Sequence, residues 1–397
     1  MKETLFLILL LACLVVLIPC RSEAAEYTLE DLHRLSLERS ETIRIAEEDV
    51  RISELDKDRA MSVLIPTLSA FGYHTRYSKE IQQGEVILQP DYTNEWGLRL
   101  NQTFSLSGKE FTALSIAKEG IKQSRFDLSA TQEEYLFTVA TQYYVLLRAK
   151  KEVDIAHANI ERLTKQRDAA RKRLEVGEVT RTVLLRAEAE LASAQSDLIR
   201  AKNTVRLAST RLAKTVGISG DYDIREPLTK NEYPMTDQGE VDLSSLAGDC
   251  TLPPLDCFKE TAFSERAEIR SLAIRRDIAG EEVTVARGAY WPDLSLEGVY
   301  RRQENSPSTS FGLDERTYGA LMLDFPFFEG GLRKAEVGQA KARLRQAELG
   351  LEDLKNTVSV QVENAYLLVI REAAVFNQLK VQLEYASDNY NLVSKQF

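Results

Sequence analysis

The chain has 397 residues, 44% of them hydrophobic and 28% charged, with only 19 Gly and 10 Pro. That length could fill two or three ordinary domains, but the scarcity of breakers favours long helices over many loops. A formal net charge of -10, with Lys and Arg interleaved among Asp and Glu, argues against a phosphate-binding face and therefore against nucleic acid as a partner.

At the N-terminus Lys2 precedes an apolar run from Leu5 to Pro19, too short to span a bilayer comfortably but suited to the hydrophobic part of an export signal. Residues 1–24 are therefore expected to be a signal peptide cleaved after Ala24, with Ala25 as the near alternative. Cys20 follows Leu17-Ile18-Pro19, the setting of a lipoprotein box, although Pro19 stands where such boxes want Gly or Ala. Export would also expose Cys250 and Cys257, in "CTLPPLDC", to an oxidising compartment, where they could close a small loop or stay as two thiols. A loop so short would contribute about 2.5 kcal/mol at most.

Thr28 is the expected N-cap of a helix running to about Ser62, with Asp31 completing a capping box. Two strands follow, near Thr67 to Tyr77 and Thr93 to Leu106, separated by a polar stretch. From Lys109 to Leu174 apolar residues recur at spacings of three and four with no Pro and one Gly, which predicts a helix about 100 Å long. "LEVGEVTRT" interrupts the pattern, which then resumes to Gly217, so the segment is expected to be an antiparallel helical hairpin with its tip at Val176, Gly177, Glu178, Val179 and Thr180. Alanines at 187, 189, 192, 194, 201, 208 and 213 allow close coiled-coil approach. Residues 221–258, with Pro227, Pro234, Pro253 and Pro254, break both periods and read as a linker. Beyond it come a helix, strands near Asp293 to Arg302 and Thr317 to Phe328, and another long helix.

The order repeats. "IPTLSAFGYHTRY" and "WPDLSLEGVYRR" align with Pro66 on Pro292, an offset of 226, whereas Gly97, Gly108 and Tyr144 match Gly319, Gly330 and Tyr366 at an offset of 222. One architectural unit is used twice, in residues 25–220 and, incompletely, 259–397.

The strands alternate. In "WGLRLNQTFSL" one parity carries Trp96, Leu98, Leu100 and Phe104 and the other Arg99, Asn101 and Thr103. Leu294, Leu296, Leu321, Leu323 and Phe325 continue the apolar set, and Asp293, Glu297 and Arg301 the polar one. Eleven tilted residues span about 28 Å, the height of a membrane apolar band. The apolar set is therefore expected to face lipid and the polar set a watery lumen, with Tyr73, Tyr77, Trp96, Tyr300 and Tyr318 near the membrane interfaces. A small sheet covering a soluble core would show the same alternation. Four strands cannot close a membrane barrel, so the edges are expected to meet other copies.

Taken in order, "YTLEDLHRLSLERSETIR", "LIPTLSAFGY", "QYYVLLRAKKEV", "RLEVGEVTRTVLLRAEAELASAQSDL" and "FPFFEGGLRKAEVGQAKARLRQAE", within the duplicated plan, resemble the TolC-type outer-membrane efflux proteins. The resemblance covers essentially all of the mature chain. It implies an α+β membrane protein in which each protomer of a homotrimer gives four transmembrane β-strands to a shared twelve-stranded barrel, and long coiled-coil hairpins form a periplasmic tunnel. It further implies an outer-membrane exit channel of a tripartite efflux pump or type I secretion system, partnered by a periplasmic adaptor protein and an inner-membrane pump. Val176-Gly177-Glu178 match the family's adaptor-contact tip, with Glu178 where the family has Leu; Gly177 could equally serve only the turn. "LEYASDNYNLVSKQF" aligns with "LTKQRDAARKRLEVG", so Phe397 falls just short of a second tip and the counterpart of residues 177–217 is absent. A piece of a longer protein is the expectation.

No catalytic or cofactor constellation emerges. His33, His74 and His157 are scattered without acidic or Cys neighbours at ligand spacing. The glycines at 330–331 and 217–220 lack the Gly-Lys-Ser/Thr context of a phosphate loop, and the carboxylates fall among Lys and Arg on helix faces. The alternative from another class is an exported coiled-coil adaptor or scaffold without a barrel.

Overall fold

The computed structural model describes residues 25–226, 253–309 and 314–396. In chain order its elements are β1 (Ala25–Tyr27), α1 (Leu29–Arg39), α2 (Glu41–Ser62), β2 (Thr67–Arg76), β3 (Ile81–Gln83), β4 (Val86–Gln89), β5 (Tyr92–Ser105), α3 (Lys109–Glu175), α4 (Arg181–Val216), β6 (Tyr222–Ile224), α5 (Pro254–Glu265), α6 (Ala267–Gly288), β7 (Asp293–Ser306), β8 (Glu315–Asp324) and α7 (Leu332–Gln396). Packing separates two units, residues 1–44 with 132–231 and residues 45–131 with 232–397. The division departs from the repeat boundaries because elements of both repeats pair with one another in the second unit. Among the described residues no helix is long and apolar enough to cross a membrane.

In the first unit, α1 begins as its sequence dictates. The Thr28 hydroxyl accepts from the Asp31 N–H at 3.2 Å, and the Asp31 carboxylate accepts from the Thr28 N–H at 3.2 Å and from its hydroxyl at 2.8 Å. The helix expected to reach Ser62 instead stops at Arg39. Ser40 is extended (φ -65, ψ 124) and its hydroxyl accepts from the Ile43 N–H at 3.4 Å, so the serine closes α1 and starts α2. Leu32, Val139, Tyr143, Leu146, Leu212 and Val216 are at most 2% exposed and form the core that joins α1 to α3 and α4. Tyrosines pin this core to backbone carbonyls. Tyr143 donates to Arg225 O, Tyr135 to Thr215 O and Tyr222 to Ser209 O. Further along the hairpin Leu163 packs on Leu191 and Ala194, and buried Ala170, Ala187 and Ala208 keep the two backbones close.

The second unit holds a four-stranded antiparallel sheet in the order β2-β5-β7-β8. Thus β5 of the first repeat pairs with β7 of the second over its whole length, from Tyr92↔Ser306 to Ser105↔Asp293. Each strand continues into a helix, and the helices follow the same order. Ser53 and Ser124 hydroxyls lie 2.6 Å apart and Arg125 reaches Glu54 at 3.2 Å, joining α2 to α3. Ser271 donates to Asp127 at 2.5 Å, joining α6 to α3. Ile269 packs on Leu351 and Val358, joining α6 to α7, and Lys259 of α5 meets Glu363 at 3.0 Å. Further along α7, Leu367, Ile370, Phe376, Leu379 and Leu383 are exposed.

The register corrects the alignment of the repeats. Thr67 pairs with Asn101 and Asp293 with Asp324, so with Thr67 equivalent to Asp293 the second strands are offset by 223, not 222. The starts of α3 at Lys109 and α7 at Leu332 agree with 223. One residue matters here, because a slip by one moves every side chain to the opposite face.

Two outcomes test the first unit. The Thr28 hydroxyl, then the Thr28 N–H, hold the Asp31 carboxyl below its ordinary 3.8. The capping contribution is therefore complete above the unfolded value and lost as pH falls through the depressed one; circular dichroism against pH should show an acid limb that Asp31→Asn flattens. Burial pushes the Tyr143 phenol above its ordinary value, so it stays a donor. Tyr143→Phe should cost about 1 to 3 kcal/mol in chemical unfolding by stranding the Arg225 carbonyl.

Candidate membrane sheet and hairpin tip

Register decides which residues of the sheet share a face. Leu100 lies opposite Leu68 and Gly298, Leu98 opposite Ala70 and Tyr300, Phe104 opposite Leu294, and Leu294 and Leu296 opposite Leu323 and Leu321. Trp96, Leu98, Leu100, Phe104, Leu294, Leu296, Leu321 and Leu323 therefore form one face. Most are exposed, Leu98 at 46% and Leu321 at 69%, with no element of the described residues over them. Phe325 lies one residue beyond β8 and packs edge-on against Phe327 at 4.8 Å. An exposed apolar face of this size marks a surface made for an apolar partner.

Gln102 interrupts that face and is only 6% exposed. Its amide donates to Val63 O at 3.0 Å and Thr103 O at 3.2 Å, so it satisfies the carbonyl left free where α2 turns into β2.

Arg99, Asn101, Thr103, Asp293, Glu297 and Arg301 occupy the opposite face. Thr103 and Ser295 hydroxyls lie 3.0 Å apart. Lys109 meets Asp293 at 3.1 Å, Arg99 meets Glu297 at 4.0 Å and Arg301 meets Glu95 at 3.6 Å. Phe71 also falls on this face, opposite Gly97, with the Arg99 guanidinium 5.2 Å from its ring centre. Gly97 is what makes room for the ring: a Cβ there would lie 2.7 Å from Phe71 and collide with the Tyr300 carbonyl. The outer edges of β2 and β8 carry no strand of this chain among the described residues.

At the other site the hairpin turns through Gly177 in the left-handed region, φ +82. Glu178 N–H donates to Arg173 O at 2.8 Å and Gly177 N–H to Leu174 O at 3.1 Å, the paired bonds of a Schellman ending. The glycine is thus required by the turn. Val176 is 71% exposed, Glu178 and Thr180 are exposed, and Thr180 begins α4 with extended backbone.

Cys257 is 2% exposed and disulfide-bonded. Cys250, Cys20 and Ala24 lie outside the described residues. His74 shares a hydrogen bond with Asn94 at 2.7 Å, and among the described residues no His, Cys, Asp and Glu gather as metal ligands would.

Residues 32–218 and 260–397 match the model of the family described as outer membrane efflux protein. The outer membrane protein TolC of Vibrio cholerae is 21% identical over 321 residues, covering 80% of this chain and 66% of that protein. The alkaline protease secretion protein AprF of Pseudomonas aeruginosa is 23% identical over 266 residues, covering 65% and 52%. The chain thus spans two thirds or less of the curated relatives it matches. Among solved structures the Campylobacter jejuni CmeC outer membrane channel superposes with a TM-score of 0.74 at 18% identity, covering 92% of this chain and 76% of that one.

Gly97→Ala tests the sheet. Overpacking against Phe71 and the Tyr300 carbonyl should lower stability in detergent by about 1 to 3 kcal/mol, read by tryptophan fluorescence in denaturant. Phe71→Ala added to it should restore only part, since the carbonyl remains in the way.

Proposed function

Because the chain belongs to the outer membrane efflux protein family, we propose that it is a protomer of an outer-membrane exit channel, a passive conduit serving efflux or type I secretion and catalysing no reaction. The observation that carries this reading is the sheet: four strands with an exposed apolar face, a polar face of matched charges and two edges without partners, set on long helices. In hydrocarbon an unpaired edge is costly, because every N–H and C=O must be satisfied within protein. Ten residues at about 3.3 Å each, tilted by about 40°, rise roughly 25 Å, the height of the membrane band. Copies of the chain that join β8 to β2 satisfy both edges, and a trimer of four strands each supplies a twelve-stranded barrel.

In this reading Trp96, Leu98, Leu100, Phe104, Leu294, Leu296, Leu321, Leu323 and Phe325 face lipid. Arg99, Asn101, Thr103, Asp293, Glu297 and Arg301 line the lumen. The helices lead into the periplasm, where Val176, Gly177, Glu178, Val179 and Thr180 present the tip to an adaptor that couples the duct to an inner-membrane pump. Cys250 is the partner proposed for the disulfide of Cys257. A family named for efflux and a relative named for protease secretion support a duct of either kind.

Neighbouring positions on β5 give the test. Leu100→Arg should impair assembly by about 2 to 4 kcal/mol, the cost of a cation facing lipid near the midplane, while Asn101→Arg should assemble as well as the parent. Outer-membrane fractionation and heat-dependent gel migration read the result. Equal tolerance at both positions counts against the orientation, and recovery of the parent protein as a soluble periplasmic product overturns the channel.

A further inference from the structure

The charges of the polar face are not spread evenly across the sheet. Three ion pairs, Lys109–Asp293, Arg99–Glu297 and Arg301–Glu95, stack along the single seam where β5 meets β7. With offsets of 223 and 226 the outer-strand equivalents of Glu95, Arg99, Glu297 and Arg301 are Tyr318, Met322, Phe71 and Thr75, none of them charged. The two repeats therefore placed their ion pairs at the junction, while the edge strand β8 carries Arg316 and Asp324 on the same face, opposite Arg301 and Asp293.

Arg99 is the member that also meets an aromatic ring. Phe71 lies beneath its guanidinium, Glu297 lies beside it, and its Nε is buried without a hydrogen-bond donor's usual partner. Glu297 also accepts from the Tyr318 hydroxyl at 3.3 Å, so Phe71, Arg99, Glu297 and Tyr318 form a row of contacts across all four strands. A guanidinium over an aromatic face moves less freely than a lone surface arginine does.

We propose that Arg99 sets the charge selectivity of the lumen. It holds one positive charge against Glu297 at a fixed height, so each protomer presents a balanced stripe and the duct passes solutes of either sign. The inference rests on the channel reading and adds to it the residue that keeps the barrel electrically neutral at this level. Rings of unpaired charge select ions, and the pairing prevents such a ring from forming at the level of Arg99 and Glu297.

The test uses the full-length protein in planar lipid bilayers under a KCl gradient near 0.1 M, where charges act over about 10 Å. Arg99→Gln should expose Glu297 in every protomer and move the K+/Cl- permeability ratio towards K+ by about threefold. Arg99→Lys should leave the ratio near that of the parent. Glu297→Gln, which leaves Arg99 stacked on Phe71 and so spares the packing, should move the ratio towards Cl-, and the double variant should return it. All these differences should collapse at about 1 M salt. A ratio unmoved by Glu297→Gln, or single variants that shift it in the same direction, would overturn the role of Arg99 while leaving the channel standing. Absence of conductance from the parent would overturn the channel reading and this inference with it.

Discussion

The pairing of β5 with β7 is the contact on which the second unit depends. It is continuous over fourteen residues of each strand and joins the two sequence repeats, which also meet where Ser271 of α6 donates to Asp127 of α3. Once it is set, the outward hairpin partners β2 and β8 fall into place on either side, all four strands share one apolar face, and the helices that continue them must lie in the same order. Register has little freedom. A slip of β5 by one residue would turn Leu98 and Leu100 to the polar face of its neighbours, and would place Phe71 against Trp96 or Leu98 in place of the one residue, Gly97, that can receive its ring.

The first unit is held by different means. Its helices are too long to be stabilised by propensity alone and are joined through apolar residues at helical spacing, with alanine wherever the backbones come closest. The tyrosine hydroxyls then remove the remaining polar cost, since each satisfies a carbonyl at the edge of the core. Burial raises the phenols of Tyr143 and Tyr222, which keeps these groups as donors.

Much of this was written in local pattern. Strand alternation set apolar and polar positions of β5 and β7 on opposite parities, and the register carries those parities across the sheet. Thr28 with Asp31, and the break at Gly177, marked helix ends through rules that act over three or four residues. What escaped was non-local or set by a single hydroxyl. Ser40 sits in a run whose apolar period continues across it, so its capping role is invisible until the backbone is known. The match of Gly97 to Gly319 drew the repeats one residue out of step, because glycine identity was weighed where hydrogen-bond register decides. Arg99 and Glu297 are 198 positions apart in the chain, and their pairing could be read only after the strand order was. The same holds for Gln102, whose partner carbonyl belongs to Val63.

The seam also has an evolutionary consequence. A chain of a single repeat would meet each neighbour through one kind of junction, second strand to first, and every substitution there would be felt at all junctions alike. Fusing two repeats splits that junction into two classes, one covalently tethered within the chain and one left open at the edges. The tethered class forms at high effective concentration and can bear charges that must be matched in place, whereas in the proposed channel the open class would recognise a separate molecule. The charged side chains between β5 and β7, and the neutral Phe71, Thr75, Tyr318 and Met322 at the equivalent outer positions, record that divergence: duplication allowed one ancestral contact to acquire two chemistries.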